Sequence, residues 1–109
     1  MSTFMILYRS TASAREQMAN ATPQQREAGL EAWRTWATKV GYAITDLGAP
    51  LAHTTHIGPG SPSSDGVAGY SLLQAGSAEE VAAVLDGHPH LDMPGNHIEV
   101  LELLPMPGM

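Results

Sequence analysis

The 109-residue chain has no cysteine. Disulfide staples and thiolate nucleophiles are therefore excluded, and any metal site has to be built from His and carboxylates. Lysine and arginine are scarce and one-sided. All five (Arg9, Arg15, Arg26, Arg34, Lys39) fall in the first 39 positions, while Val40 to Met109 holds eight carboxylates and no cation. A nucleic-acid binder displaces counterions with a broad cationic face, and an anionic lipid surface attracts one too. With a net charge of −6 neither partner is expected. No apolar run nears the roughly 20 residues that span a bilayer. The opening Met1-Ser2-Thr3-Phe4-Met5-Ile6-Leu7 lacks a charged region before its apolar run. It reads as a strand rather than a signal peptide, with the cytoplasm as the expected compartment. No Walker loop, dinucleotide fingerprint or Gly-x-Ser-x-Gly elbow occurs, so neither a nucleotide cofactor nor serine hydrolysis is expected.

What remains is one domain's worth of globular sequence: 43% hydrophobic residues in a length that supports a single core. A folded part over residues 1–104 and a tail over 105–109 are expected. Thr3 to Arg9 reads as a strand, and Ser10 to Ala21 as a loop or frayed turn. Thr22-Pro23-Gln24-Gln25 is a capping-box start for a helix running to about Val40, with Gly41 as its left-handed end. Leu30, Trp33, Ala37 and Val40 form its core stripe, with Trp36 at the edge of that stripe. Tyr42 to Leu47 reads as a strand stopped by Gly48-Ala49-Pro50, and Ala52 to Ile57 as an extended piece. Gly58 to Gly66 is a surface loop, and Val67 to Gln74 a further strand. Ser77-Ala78-Glu79-Glu80 starts a second capped helix that buries Val81, Val84 and Leu85. His97 to Leu104 is the last strand. This order is the split βαβ, ferredoxin-like arrangement: an α+β fold with an antiparallel sheet and two helices on one face. The other sheet face lacks a cover, which predicts a homodimer.

Three stretches resemble the YciI-like (YCII-related) family: Phe4-Met5-Ile6-Leu7-Tyr8, then Gly69-Tyr70-Ser71-Leu72-Leu73 with its Ser77-x-x-Glu80 helix start, and above all Gly87-His88-Pro89-His90-Leu91 leading through Gly95 to Ile98-Glu99-Val100. The resemblance spans the chain and is most specific from Gly69 to Val100. It implies a dimeric α+β barrel with a polar cleft holding an acid–base residue, and a few relatives are linked to breakdown of aromatic compounds. The His that many members carry on the first helix has no counterpart between Thr22 and Gly41, and the Asp-Gly-Pro-Phe signature of one branch is missing.

His88, His90, Asp92 and His97 lie within ten residues. Imidazole titrates near neutrality and suits proton transfer, and Pro89 stiffens the backbone beside His88. The plainer role for His88 is to cap the second helix as an imidazolium. His-x-His with Asp92 or His97 offers metal-ligand atoms, but its spacing fits no zinc motif, so no metal is expected. His53 and His56 point to opposite faces if their segment is a strand. The expected catalytic residues are His88, with Asp46 or His90 orienting it. Tyr8, Trp33 and Tyr70 are expected to hold a ring, and Arg9 is the better-placed anion clamp. The leading expectation is a cofactor-independent lyase or isomerase acting on a small, cyclic or aromatic, organic molecule. The alternatives are a small-ligand-binding or accessory dimer without catalysis, and a pure interaction domain.

Overall fold

The computed structural model describes residues 1–52, 54–62 and 65–107. Its regular elements are β1 (Ser2–Ser10), α1 (Ala14–Asn20), α2 (Pro23–Val40), β2 (Ile44–Pro50), β3 (Gly66–Ala75), α3 (Ala78–Leu85) and β4 (His97–Glu102), with 3-10 turns at Gly41–Ala43 and Pro89–Asp92. The strands form one antiparallel sheet in the order β2-β3-β1-β4. This is the ferredoxin-like α+β arrangement read from the sequence. No helix among the described residues is long and apolar enough to cross a membrane.

Strand alternation sets the two faces of the sheet. Phe4, Ile6, Tyr8 and Ser10 of β1 and Gly69, Ser71, Leu73 and Ala75 of β3 are buried beneath the helices. Met5, Leu7, Arg9, Tyr70, Leu72 and Gln74 alternate onto the opposite face, where β4 adds His97, Glu99 and Leu101. The core joins Phe4, Ile6, Tyr8, Leu73 and Ala75 to Trp36 of α2 and Val81 and Leu85 of α3.

Helix starts follow their local chemistry. Thr22 and Gln25 form the reciprocal capping box of α2, and Gly41 ends that helix at φ +63°. Ser77 accepts from the Glu80 N–H at the start of α3. Four expectations need correction. The segment after β1 is not a loop, because Ser13 accepts from the Glu16 N–H and starts α1. Gly48 does not stop β2. At φ +82° it carries the strand over a bulge, and a Cβ there would sit 1.7 Å from the Tyr70 carbonyl oxygen. Within 52–57, the described residues form no strand, and His53 lies outside them. On α2, Leu30 is 53% exposed and Trp36 5%, so the stripe is Trp33, Trp36, Ala37 and Val40. Only the C-terminal half of α2 lies on the sheet, since residues 22–31 are all exposed.

Candidate functional site

The α3–β4 connection carries the most unusual side chain. Gly87 at φ +73° turns the chain out of α3, and Pro89 opens the next 3-10 turn. His88 between them is fully buried. Its backbone N–H donates to the Leu85 carbonyl, and its ring Nδ1 accepts from the His90 N–H at 3.0 Å. It therefore caps the start of the following turn, rather than the end of α3 as an imidazolium. An accepting Nδ1 carries no proton, so the neutral ring holds its hydrogen on Nε2. That Nε2 is buried, and among the described residues it has no hydrogen-bond partner.

Three aromatic side chains surround the ring. Tyr8 stacks on it at 4.9 Å and 25° between planes. Trp33 and Trp36 meet it nearly edge-on at 4.5 and 4.4 Å. Trp33 also meets Tyr8 edge-on at 4.8 Å, so it flanks both stacked rings. Trp36 is fixed by its Nε1–H donating 2.9 Å to the Val84 carbonyl. Burial strips water from the His88 imidazolium, and His90 adds like charge, which together push its pKa down to about 4. At neutral pH His88 is a neutral donor. An unpaired buried donor of this kind costs about 1–3 kcal/mol.

Tyr8 is held by its hydroxyl, which donates to Ser71 Oγ at 2.9 Å, while Ser71 donates to the Leu47 carbonyl at 2.6 Å. Burial raises the Tyr8 pKa to about 12, partly offset by the Ser71 bond, so the phenol stays protonated. His90 Nε2 lies 2.8 Å from the Arg9 carbonyl and therefore donates to it, leaving Nδ1 to face the Asn96 amide at 3.5 Å. Burial lowers the His90 pKa too.

The remaining expected site residues lie on the other face of the sheet. Arg9 is engaged by Asp65 at 3.1 Å and by Glu99 at 3.1 Å, with His97 Nε2 3.6 Å from the second Asp65 oxygen. The Asp65 bond holds the guanidinium pKa up, and Arg9 in turn holds the Asp65 carboxyl below its usual range. Asp46 accepts from the Gly48 N–H at 2.8 Å and lies 3.5 Å from the Tyr70 hydroxyl. The structure thus brings His88, His90, Tyr8 and Trp33 together under the helices and places Arg9, Asp46 and Tyr70 opposite them. Trp36 and Ser71 complete the His88 cluster, and Asp65 and Glu99 occupy Arg9. Among the described residues no three or more His, Asp or Glu side chains converge as metal ligands.

An open apolar groove of about 300 Å³ is lined by Ala82, Leu85, Asp86, Leu91, Ile98 and Val100. A second, of about 200 Å³, lies between the β1–α1 connection and the start of β3. Neither is lined by His88.

No protein-family model matches the chain, and no curated protein matches it. Among solved structures, 5-chloro-2-hydroxyhydroquinone dehydrochlorinase from Burkholderia phenoliruptrix AC1100, in complex with 2,5-dihydroxybenzoquinone, is similar to it at 20% identity. That match covers 89% of this chain and 90% of that one, with a TM-score of 0.48.

Proposed function

We propose that the chain is a YciI-like protein that takes a small planar organic molecule at the His88 aromatic cluster and acts on it by lyase- or isomerase-type chemistry. One observation carries this reading: a fully buried imidazole, its tautomer set by the His90 N–H, keeps an Nε2–H that is unpaired among the described residues, between the rings of Tyr8, Trp33 and Trp36. A ligand oxygen would satisfy that donor, and aromatic walls suit a flat ring. Trp33 is only partly buried and belongs to a single helix layer, so it is the wall that has to swing aside.

The depressed pKa changes the expected role of His88. A base with a pKa of about 4 abstracts protons weakly at pH 7, whereas a neutral imidazole donating from Nε2 polarises a carbonyl or quinone oxygen. His90 orients it through its backbone N–H, and Asp46 has no part in that step because it lies across the sheet. A second reading, a small-ligand binder without turnover, is favoured by one fact. The groups around His88 are a protonated phenol, two indoles and an imidazole engaged elsewhere, and none of them is placed as a base. In both readings the chain works as a homodimer through its open sheet face, where Met5, Leu7, Leu72, Leu101 and Tyr70 would meet a second copy.

The test is a screen of small phenols and quinones followed by tryptophan fluorescence, which reports directly on Trp33 and Trp36. Expected is saturable quenching by wild type and at least a tenfold loss of affinity in His88→Phe, which keeps the ring and removes Nε2–H. Equal binding by His88→Phe would remove His88 from the site. Turnover of a bound compound, lost by about a hundredfold in the same variant, separates the catalytic reading from the binding one.

A further inference from the structure

Given the ligand site proposed above, on which this rests, we infer that Ser71 is a positioning residue for it. Ser71 is the middle of a hydrogen-bond relay by which the bulge of β2 holds the Tyr8 ring over the His88 imidazole. The relay has three bonds. The Gly48 N–H donates 2.8 Å to Asp46 Oδ1 and so closes a turn around Leu47. Ser71 Oγ–H donates 2.6 Å to the Leu47 carbonyl, and the Tyr8 hydroxyl donates 2.9 Å to Ser71 Oγ. A carbonyl only accepts, so Ser71 must donate to Leu47 and has no proton left for Tyr8. The Tyr8 O–H is therefore spent on the relay, and the phenol turns only its ring face to His88.

Both ends of the relay sit where a strand ladder is interrupted. Strand β2 pairs with β3 at Asp46–Leu72 and again at Ala49–Tyr70, with a register shift on each side of Asp46. Leu47 and Gly48 are bulged out of that pairing, and the Leu47 carbonyl takes a side-chain hydroxyl instead. On β1 the register against β3 also shifts, between Tyr8 and Arg9. A bulge re-aims the side chain beside it. Ser71 stands between the two irregularities, on the strand that pairs with both β1 and β2.

Packing alone does not call for these groups. Tyr8 and Ser71 are 2% and 0% exposed, and a core of Phe and Ala would fill such positions with no polar atom to satisfy. The ring of Tyr8 meets His88 face to face and Trp33 and His90 nearer edge-on. Trp33 is the wall that swings aside for a ligand, and Tyr8 then loses that neighbour. The hydroxyl anchor keeps the far end of the ring in place. A ligand that displaces Trp33 thus meets a preformed wall beside Nε2–H, and no cost of ordering Tyr8 is added on binding. Asp46 gives nothing to the ligand and lies across the sheet. It acts only at the outer end of the relay, through the turn it closes.

The test separates affinity from stability. Binding of phenol and of p-benzoquinone to the full chain is read by tryptophan fluorescence, and the His88 ring is read without ligand by its carbon-bound proton resonances. Tyr8→Phe with Ser71→Ala removes the anchor and leaves no hydroxyl unpaired on either residue. Its unfolding midpoint should lie above that of Ser71→Ala alone. Its affinity for the probes should stay about three- to tenfold below wild type. The His88 protons, shifted upfield by the Tyr8 face in wild type, should move downfield. Asp46→Asn keeps an acceptor for the Gly48 N–H and should retain wild-type affinity. Asp46→Ala, at an exposed position, should lose about threefold with its unfolding transition in place. Affinity that recovers along with stability in the double variant, or unmoved His88 protons, overturns the relay and leaves the ligand site standing. Equal affinity of Asp46→Ala and wild type overturns it as well, since the bulge would then hold nothing. A wild type that binds neither probe overturns the ligand site, and the relay with it.

Discussion

Acidification should destabilise this protein through His88. In the unfolded chain the imidazole titrates near its ordinary 6.5, and in the folded protein near 4. Between those values the unfolded state binds a proton that the folded state refuses, so stability is highest above pH 6.5 and falls as the pH drops towards 4. Below that both states are protonated, and His88 costs nothing further. The gap is worth about 3 kcal/mol at most. A chain of this length has a total stability of roughly 5–15 kcal/mol, so the loss is a large share. Urea unfolding followed by tryptophan fluorescence at pH 7, 5 and 4 measures it. His88→Asn retains an acceptor for the His90 N–H and removes the titrating ring. Its stability at pH 7 should be lower by about 2–4 kcal/mol, from the lost ring packing. Its decline from pH 7 to pH 4 should be shallower than that of wild type by about 2–3 kcal/mol. The lowered pKa of His90 adds a slope of the same sign in both proteins. Asp65, whose carboxyl is held low by Arg9, loses its ion pair only at still lower pH. Parallel pH profiles for wild type and His88→Asn would refute the burial assigned to the ring.

Three further outcomes follow from packing. Gly48→Ala should cost about 1–3 kcal/mol in a denaturation experiment, because φ is +82° there and the new methyl would meet the Tyr70 carbonyl. Ser71→Ala should cost about 1–3 kcal/mol, since it leaves the buried Tyr8 hydroxyl without its acceptor; Tyr8→Phe in the same background should recover part of the loss. Leu7→Lys, at the centre of the open sheet face, should convert a dimer to a monomer by light scattering at micromolar protein with the helical signal unchanged. A wild type already monomeric at that concentration would remove the dimer.

The layout of the fold was readable wherever a local rule governs it. A short apolar run with Phe4, Ile6 and Tyr8 marked β1, and the Thr22 and Ser77 caps marked α2 and α3, because those signals lie within a few residues of the element they set. Helix α1 escaped because Met18 is its one large apolar residue, so no stripe marks it. The cue present was Ser13-x-x-Glu16, which does cap it. Trp36 was put at the edge of its stripe because periodicity gives the face of a helix and not the point along it where the sheet begins. Once residues 22–31 overhang, the contact centre shifts from Leu30 to Trp36. The candidate site divides on the same ground. Gly87-His88-Pro89 disclosed a stiff turn around an imidazole, but its burial depends on two indoles more than fifty residues earlier in the chain. That Tyr8 and Tyr70 sit on opposite faces follows from the Tyr8–Gly69 pairing, which no single strand reveals.

The most direct test of the role of His88 is a two-dimensional ¹H–¹⁵N spectrum of its imidazole nitrogens, recorded from pH 7.5 to pH 4 and again with a saturating small phenol or quinone. The expected result is a neutral ring protonated at Nε2 and invariant down to about pH 5, with the Nε2–H resonance shifting downfield when the ligand arrives. A ring that titrates near 6.5, or an Nε2–H resonance that a bound ligand leaves unmoved, would contradict it.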